Sequence, residues 1–505
     1  MQRNNKIKAL AELAEVLAPL RVEGKKIIHC HGVFDLLHIG HIRYLQKAKN
    51  LGDVLIVTVT PDHYVNKGPH RPAFPEKLRV EAIAALDCVD YVAINEWPTA
   101  VETIELLKPD IYAKGAEYRE RRTPEIIREE AAVASVGAEI AFIEDITSSS
   151  SHLINKYLSP FPEEVDNYLI KLSQSYSPVE ILRYIEQAHS LRVLVVGETI
   201  IDEYYYCHSM SESSKAPILA MQYLSHERFA GGAVAIATHF AGFCSEVGLV
   251  SMLGTENSEE EWIKKNLKKN VNAFFLHKTD SSTIVKRRYR ESYFNLPVFE
   301  IYTMNDTPLT NSDNKKLCAQ LQKMLLQYDI VVVADYGHTM LTEQAIHILC
   351  EDTRFLSVNT QANAGNRGYH TISKYPRADY VCLAEQELRL ECRSRSGDIH
   401  PMLQEVAHKL GAARAVVTQG GHGCLCYNKE TGFCEAPALA TRVVDRVGAG
   451  DAFLAITSLC AVQKAPMEIL AFLGNLAGAE AVATVGHRES LERLSLRRHV
   501  ESLLK

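Results

Sequence analysis

Cys30-His31-Gly32-Val33-Phe34-Asp35-Leu36-Leu37-His38-Ile39-Gly40-His41 is the stretch on which the fold of the first part of the chain turns. Residues 26–29 before it read as a buried strand, and residues 41–50 after it as a helix. A strand that passes through a glycine-bearing turn into a helix is the opening of a parallel α/β unit, with ligands at the carboxyl ends of the strands. If the helix begins near Ile39, His38 and His41 project from its first turn, beside backbone N–H groups that lack intrahelical partners and favour anions. Gly32 and Gly40 let backbone approach a ligand without a Cβ in the way. Two imidazoles so placed can donate hydrogen bonds to an α-phosphate and stabilise charge on a departing pyrophosphate, which is nucleotidyl-transfer chemistry. An HxxH spacing alone is more often two unrelated histidines, or a metal pair. Strand, glycine, Phe34-Asp35 and His-x-Gly-His together carry the functional reading.

Outward from this stretch the pattern alternates. Strand-like runs at 54–59, 91–94, 111–113 and 140–143 are separated by helical runs at 75–86 and 124–135. Leu10, Leu13, Ala14 and Leu17 predict a leading helix that ends at Pro19. From 159 to 190, Pro160, Pro162 and two helical patterns without a strand read as a helical linker. A second α/β unit opens with a strand at 192–197 and continues through strands at 330–334, 355–359, 380–383 and 415–418. The expected division is a leading helix (1–24), a first domain (25–158), a helical linker (159–190) and a second domain (191–505), α/β throughout. The two domains carry different motifs, so duplication is excluded.

Of the 505 residues, 47% are hydrophobic and 23% charged, which excludes wholesale disorder, collagen and coiled coil. The 55 basic against 62 acidic side chains leave a net charge of −7 with no long basic run, so neither a dedicated nucleic-acid binder nor a polybasic membrane anchor is expected. Small-molecule partners are. Twelve cysteines without a CxxC pair read as reduced thiols, with no structural zinc. No run approaches the roughly 18 apolar residues of a membrane helix, and the first 20 residues are not a secretory signal, so the expected location is cytoplasmic.

At these residues the first domain resembles the cytidylyltransferase-like nucleotidyltransferases. His70-Arg71-Pro72, Glu76, Arg79, Ala84-Ala85-Leu86 before Val89-Asp90-Tyr91, Lys108-Pro109-Asp110 and Lys114-Gly115 are similar to the adenylyltransferase half of the bifunctional heptose-phosphate enzymes, and Ser149-Ser150-Ser151 to a Ser-Thr-Thr segment there. The resemblance implies a Rossmann-like parallel sheet with His38, His41 and Lys114 catalytic. It gives nucleotide contacts to Gly32, Phe34, Asp35, Gly40, Asp62, Arg71, Ser149, Ser150 and Ser151, and further phosphate contacts to Lys47 and Lys67. Cys30 stands where Thr is usual and Ala116-Glu117 where a Gly-Asp-like pair is usual. Adenine or cytosine stays open, and so does the acceptor.

Near the C-terminus, Val443-Val444-Asp445-Arg446-Val447-Gly448-Ala449-Gly450-Asp451-Ala452-Phe453 sets a glycine-rich turn at the head of an apolar helix. Its bare N–H groups can hold a transferring phosphoryl group while Asp451 takes a proton from the attacking hydroxyl. Alone, such a turn is only a helix cap. With Val195-Val196-Gly197-Glu198-Thr199-Ile200-Ile201-Asp202, Gly231-Gly232-Ala233, Ala334-Asp335-Tyr336-Gly337 and Thr418-Gln419-Gly420-Gly421-His422-Gly423, residues 192–491 resemble the ribokinase-like sugar kinases, specifically the heptose-phosphate kinase half. The resemblance implies an α/β sandwich with a small lid, for which 218–229 is the candidate segment. Asp202, Gly231 and Gly232 then hold the sugar, Lys286 and Arg288 contact a sugar phosphate, and Thr418, Gly420, Gly423, Gly448, Ala449 and Gly450 line the ATP site, with Asp451 catalytic. The chain departs from that pattern at Ala235, usually Asn; at Asn359-Thr360-Gln361, usually Asp-Pro-Lys; and at Leu383-Ala384 before Glu387, usually Pro-Asn.

Joined, the halves imply a kinase that makes a sugar 1-phosphate and a transferase that couples it to a nucleotide from ATP or CTP. In the similar enzymes the kinase half comes first; here it follows. Mg²⁺ carried by the nucleotide is the expected cofactor, without a protein metal cage. Expected partners are ATP and/or CTP, a sugar phosphate and a second copy of the chain. The alternative is a cytidylyltransferase making a CDP-alcohol or CDP-sugar, fused to a sugar-binding domain without kinase activity.

Overall fold

The computed structural model describes residues 6–65, 72–120, 124–143, 161–293 and 296–504. The chain divides into two compact units whose bodies are Met1–Pro162 and Glu163–Val500.

In the first unit, β1 (Ile27–Gly32), β2 (Val54–Val59), β3 (Tyr91–Ile94), β4 (Ile111–Gly115) and β5 (Glu139–Ile143) form a parallel sheet in the order β3-β2-β1-β4-β5. Alternation along β1 and β2 sorts the core onto two faces. Ile28, Cys30, Leu55 and Val57 pack with Leu45, Ala48, Val80 and Ile83, while Ile27 and Ile56 pack with Leu10, Leu13 and Leu17. Strand order reverses between β1 and β4, which opens a crevice at their carboxyl ends. Both Gly32 and Lys114 lie there. The leading helix does not stop at Pro19: it spans Leu10–Val22, and the Pro19 carbonyl still accepts the Glu23 N–H at 3.0 Å. Its buried leucines all precede the proline, and Leu20 after it packs partly buried against the same cluster, so packing holds the helix on both sides of the missing hydrogen bond.

The second unit begins with the two helices that the sequence suggested as a linker, Glu163–Ser175 and Pro178–Gln187. They are packed elements of this unit, with Val165, Leu169, Leu172, Ile181 and Ile185 buried and Gln463 Nε2 donating to the Tyr184 carbonyl at 2.9 Å. Its strands are β6 (Arg192–Glu212), β7 (Leu219–Gly232), β8 (Glu246–Glu256), β9 (Val271–Ser282), β10 (Ile284–Glu291), β11 (Leu296–Thr303), β12 (Ile330–Asp335), β13 (Leu356–Thr360), β14 (Tyr380–Ala384), β15 (Arg414–Thr418), β16 (Cys424–Asn428) and β17 (Gly432–Ala436). Arg192–Glu198 of β6 lies in a central parallel layer between β8 and β12, which continues through β13, β14 and β15. From Ile200 onward the same strand enters a second layer, antiparallel to β7 and parallel to β10, with β11 at its edge. This is the lid, four strands rather than the single segment 218–229. Its register places Lys286 opposite Asp202 and Arg288 opposite Tyr204, so all four share one face.

All twelve cysteines are free thiols. Among the described residues no helix is long and apolar enough to cross a membrane.

Candidate active sites

In the first unit, the helix Ile39–Lys49 starts at the crevice, with His38 as its N-cap. His38 Nδ1 accepts the Gly40 N–H at 3.1 Å. That bond fixes the tautomer: a neutral ring accepting at Nδ1 carries its hydrogen on Nε2. Burial lowers the pKa of His38, which favours the neutral form. Nε2 is buried and has no hydrogen-bond partner among the described residues, so the structure holds a donor in reserve beside a helix N-terminus. The His41 ring lies 4.0 Å from that of His38, and Phe34 meets His41 edge-on at 5.3 Å. Phe34 adopts φ 48°, and a Cβ on Gly32 would sit 3.2 Å from its ring. Gly32 therefore admits the ring that supports the histidines.

The remaining first-unit candidates divide. Asp35 is buried, and its Oδ1 accepts the Ala73 and Phe74 N–H groups at 2.5 and 3.3 Å. Asp62 pairs with Arg79 at 2.5 Å and accepts the Glu76 N–H at 3.1 Å, while the Glu76 carboxylate accepts the Asp62 N–H at 2.8 Å. Asp35 is thereby engaged by backbone N–H groups, and Asp62, its side chain still 40% exposed, by a buried guanidinium and a backbone N–H, so a nucleotide group would have to share or exchange these partners. Arg79 also donates to the carbonyls of Val33, Thr60 and Phe74, tying together the loops after β1 and β2. Lys114 is buried and paired with Glu129 at 2.8 Å; Glu129 in turn accepts from Tyr112 and the Ala100 N–H. Any phosphate would have to draw the ammonium away from that carboxylate. The Gly40 N–H is taken by His38, and Lys47 stands in the last turn of its helix, at the end opposite His38. Lys67, Arg71, Ser149, Ser150 and Ser151 lie outside the described residues.

Sequence reading missed a polar group along β1 and β2. Thr58 Oγ1 meets His29 Nε2 at 2.8 Å and His31 Nδ1 at 2.9 Å, and Thr60 Oγ1 meets His31 Nε2 at 3.3 Å. Desolvation lowers the pKa of both histidines. The His-x-His spacing was the available signal, since it puts both rings on one face of a strand.

In the second unit, the helix Ala449–Val462 is entered through Gly448 at φ 85°, where a Cβ would lie 2.7 Å from His487 Cε1. Asp451 is buried in the first turn, and its Oδ1 accepts from Tyr336 Oη at 3.1 Å and from Gln361 Nε2 at 3.0 Å. Burial raises its pKa, opposed by His487 and by the two donors. Asp202 is buried, bonded to Arg288, and 3.6 Å from His487 Nε2. A Cβ at Gly231 would meet Asp202 Oδ2 at 2.1 Å, and one at Gly232 the Glu198 carbonyl at 2.4 Å. These two glycines make room for the protein's own groups. Lys286 is buried with its ammonium 5.3 Å from the centre of the Tyr302 ring, and has neither hydrogen bond nor ion pair among the described residues. Asp202, Glu300 and Glu198 act on its charge from a distance, but a buried ammonium without a direct hydrogen-bond partner still favours an anion.

Thr418 and Gly420 line a cleft of about 1040 Å³ together with Arg367, Arg389, Arg393 and Arg395. Gly423 does not line it: at φ 93°, with a Cβ position 2.0 Å from the Ala436 carbonyl, it serves the turn. At the departures from the sugar-kinase pattern, Ala235 is buried in the helix Ala233–Ala241, and the N–H groups of Ala384 and Ala362 donate to the Glu387 carboxylate at 2.7 and 3.2 Å. Burial pushes Glu387 up to about 7.

Residues 190–494, more than half of the chain, match the model of the pfkB family carbohydrate kinases. The chain belongs to the pfkB family. Residues 29–156, ahead of the pfkB region, match the cytidylyltransferase-like model. Curated relatives include the Bifunctional protein HldE of Geobacter metallireducens, 41% identical over 162 residues, and that of Nitratiruptor sp., 47% identical over 115 residues. The first match covers 32% of each chain and the second 22% of this chain and 25% of that one, so this chain spans at most about a third of the length of either. Phosphofructokinase-2 from Escherichia coli, solved in complex with potassium, superposes with a TM-score of 0.50 at 15% identity, covering 62% of this chain and 100% of that one; its complex with fructose-6-phosphate also gives 0.50, at 14% identity. These likenesses establish the pfkB fold of the second unit. Two groups at the pfkB site escaped sequence reading, Gln361 and His487. In the sequence Gln361 stands out only as a departure, and His487 belongs to no motif.

Proposed function

We propose that the chain is a bifunctional enzyme of sugar-nucleotide formation. One site phosphorylates a heptose-like sugar or sugar phosphate with ATP; the other transfers a nucleotidyl group from ATP or CTP to a sugar 1-phosphate and releases pyrophosphate. The observation that carries the reading is His38, whose cap bond to Gly40 leaves an Nε2–H donor beside His41 at a helix N-terminus. As a phosphate oxygen of the sugar attacks the α-phosphorus, the bond to the β-phosphate oxygen breaks, and this donor offsets the charge on the α-phosphate and the leaving pyrophosphate. Arg71, Ser149, Ser150 and Ser151 are further nucleotide contacts on this reading.

At the kinase site, Asp451 takes the acceptor's hydroxyl proton, the oxygen attacks the γ-phosphorus, and ADP leaves while the N–H groups from Gly448 to Gly450 hold the transferring group. Lys286 and Arg288 receive the acceptor's phosphate, and Asp202, released from Arg288, takes a sugar hydroxyl. When bound with the nucleotide, Mg²⁺ would screen phosphate charge, and Glu387 is the carboxylate that would meet its hydration shell. A cytoplasmic homo-oligomer paired through the lid fits the outward face of that sheet, where the rings of His226, Tyr205, Tyr289 and Phe299 stack in sequence across four strands. The named HldE relatives support the pairing of the two activities.

The test is a matrix of four nucleoside triphosphates against a panel of sugar 1-phosphates, read by pyrophosphate release. Release with one pair and its loss in His38→Ala support the transferase; no release with any pair overturns it. The competing reading, a sugar-binding domain without kinase activity, draws on Asp202 being occupied by Arg288. Sugar-dependent ADP formation that disappears in Asp451→Asn decides against it.

A further inference from the structure

The kinase reading leaves a difficulty at Gln361, where the similar enzymes carry a lysine. The structure places this amide directly on the candidate base. β12 and β13 run parallel with Asp335 opposite Thr360, so the residues that follow, Tyr336 and Gln361, leave neighbouring strands at the same level. Both reach Asp451 Oδ1, at 3.1 and 3.0 Å. Each donor is itself pinned. The Gln361 N–H donates to the Asp335 carbonyl at 2.8 Å, and the Tyr336 N–H donates to the buried Glu198 carboxylate at 3.0 Å. With two donors on Oδ1 and none on Oδ2 among the described residues, the carboxylate cannot rotate without losing both bonds, and Oδ2 is the oxygen left for an incoming hydroxyl.

The charge of the donor matters as much as its position. A carboxylate serves as proton acceptor in proportion to its basicity, and a cation within hydrogen-bond distance lowers that basicity by about one to three pKa units. An amide supplies the directional bond without the charge. Other groups also act on Asp451: His487 from the loop between the helices Met467–Val482 and Arg493–Leu503, Asp202 from β6, Tyr336 from the end of β12 and Glu387 from the helix Glu385–Glu391. Of these only His487 can bring a positive charge.

Resting on the kinase reading above, we propose that Gln361 is a positioning residue for phosphoryl transfer: it shares with Tyr336 the task of holding Asp451 Oδ1, so that Oδ2 faces the acceptor, and as a neutral donor it keeps the carboxylate basic. The departure from lysine is thus a tuned variant of the site and not its loss.

The experiment uses the full chain with ATP and a panel of heptose-like sugars and sugar phosphates, and follows ADP release as a function of pH with the acceptor that turns over fastest. In Gln361→Met, kcat falls about tenfold with little change in either KM, the loss expected for one positioning hydrogen bond. In Gln361→Lys, the acid limb of the kcat/KM profile moves down by about one pH unit or more, because the new ammonium holds Asp451 ionised. Gln361→Glu, which removes the donor and adds a negative charge, moves that limb up. Activity of Gln361→Met within twofold of wild type, or an acid limb unmoved in both charged variants, overturns the proposal while leaving the kinase assignment standing. Full activity in Asp451→Asn, or no turnover by the wild-type chain, overturns the kinase reading and this proposal with it. Circular dichroism and the retained pyrophosphate-releasing activity identify any variant that has merely misfolded, and Tyr336→Phe, which removes the other donor to the same oxygen, then decides: unchanged kcat sinks the shared role.

Discussion

His38 performs two tasks that substitution can separate. Its Nδ1 caps the helix Ile39–Lys49 by accepting the Gly40 N–H, and its Nε2–H is the candidate donor to the nucleotide. Alanine removes both functions. Asparagine, among the best N-cap residues, replaces the cap and leaves the catalytic position without its ring. The cap is worth about 0.5–2 kcal/mol, so His38→Ala lowers the stability of the first unit by that amount and His38→Asn leaves it unchanged. Loss of one preorganised donor to the developing charge costs about 10²–10³ in kcat, and both variants show this loss. The chain has two tryptophans, Trp97 in the first unit and Trp262 in the second, so a Trp262→Phe background lets urea unfolding report the first unit alone. Turnover is read as pyrophosphate from the best nucleotide and sugar 1-phosphate pair. If His38→Asn keeps more than about a tenth of wild-type kcat, against the loss expected for a missing donor, His38 is a cap only and the transfer chemistry belongs elsewhere.

Three further outcomes follow from the geometry. Gly448→Ala forces a side chain into a left-handed conformation and against His487, at a cost of about 1–2 kcal/mol from the backbone alone; ADP formation falls steeply while pyrophosphate release is untouched, and a parallel fall in both contradicts two independent sites. Glu129→Met strands the buried Lys114 ammonium and destabilises the first unit by about 3–5 kcal/mol, read by Trp97 fluorescence in urea, and an unmoved midpoint contradicts the buried pairing. His239 is buried, accepts the Leu491 N–H at Nδ1, and is lowered by burial from 6.5 to about 3. Its folded pKa lies below the unfolded one, so between these values protons bind the unfolded chain alone; the contribution of His239 to the second unit is complete above pH 6.5 and falls by about 2 kcal/mol by pH 5. Urea midpoints of wild type and His239→Gln at pH 7 and 5, read from Trp262 in a Trp97→Phe background, check the sign: on going to pH 5 the variant gains on wild type by that amount, and a difference that does not change with pH contradicts the buried neutral ring.

Much of the fold was legible because its signals are local. The strand Val54–Val59 and the helix Pro124–Ser135 have the limits that periodicity suggests. Boundaries failed where a neighbour overrode the local text: β1 extends to Gly32 because β2 pairs with it that far, and Pro19 lies within a helix already anchored by three leucines. The two helices after Phe161 looked like a linker because amphipathic periodicity does not say which surface the apolar stripe meets.

The motif residues themselves, the histidine pair and the glycine turn before Asp451, were determined by the sequence alone, since each is built within one strand-turn-helix segment. Tertiary structure decided what those groups touch. Asp451 is held by side chains 115 and 90 positions away, and Asp202 by an arginine 86 positions away. Contacts at such separations are set by sheet register and by packing between layers, which no local spacing encodes. Packing likewise set Asp35, Asp62 and Lys114 beside protein partners, and the buried Asp35 and Lys114 need them because an ionised group removed from water must find its counterion or donor among whatever the fold brings beside it.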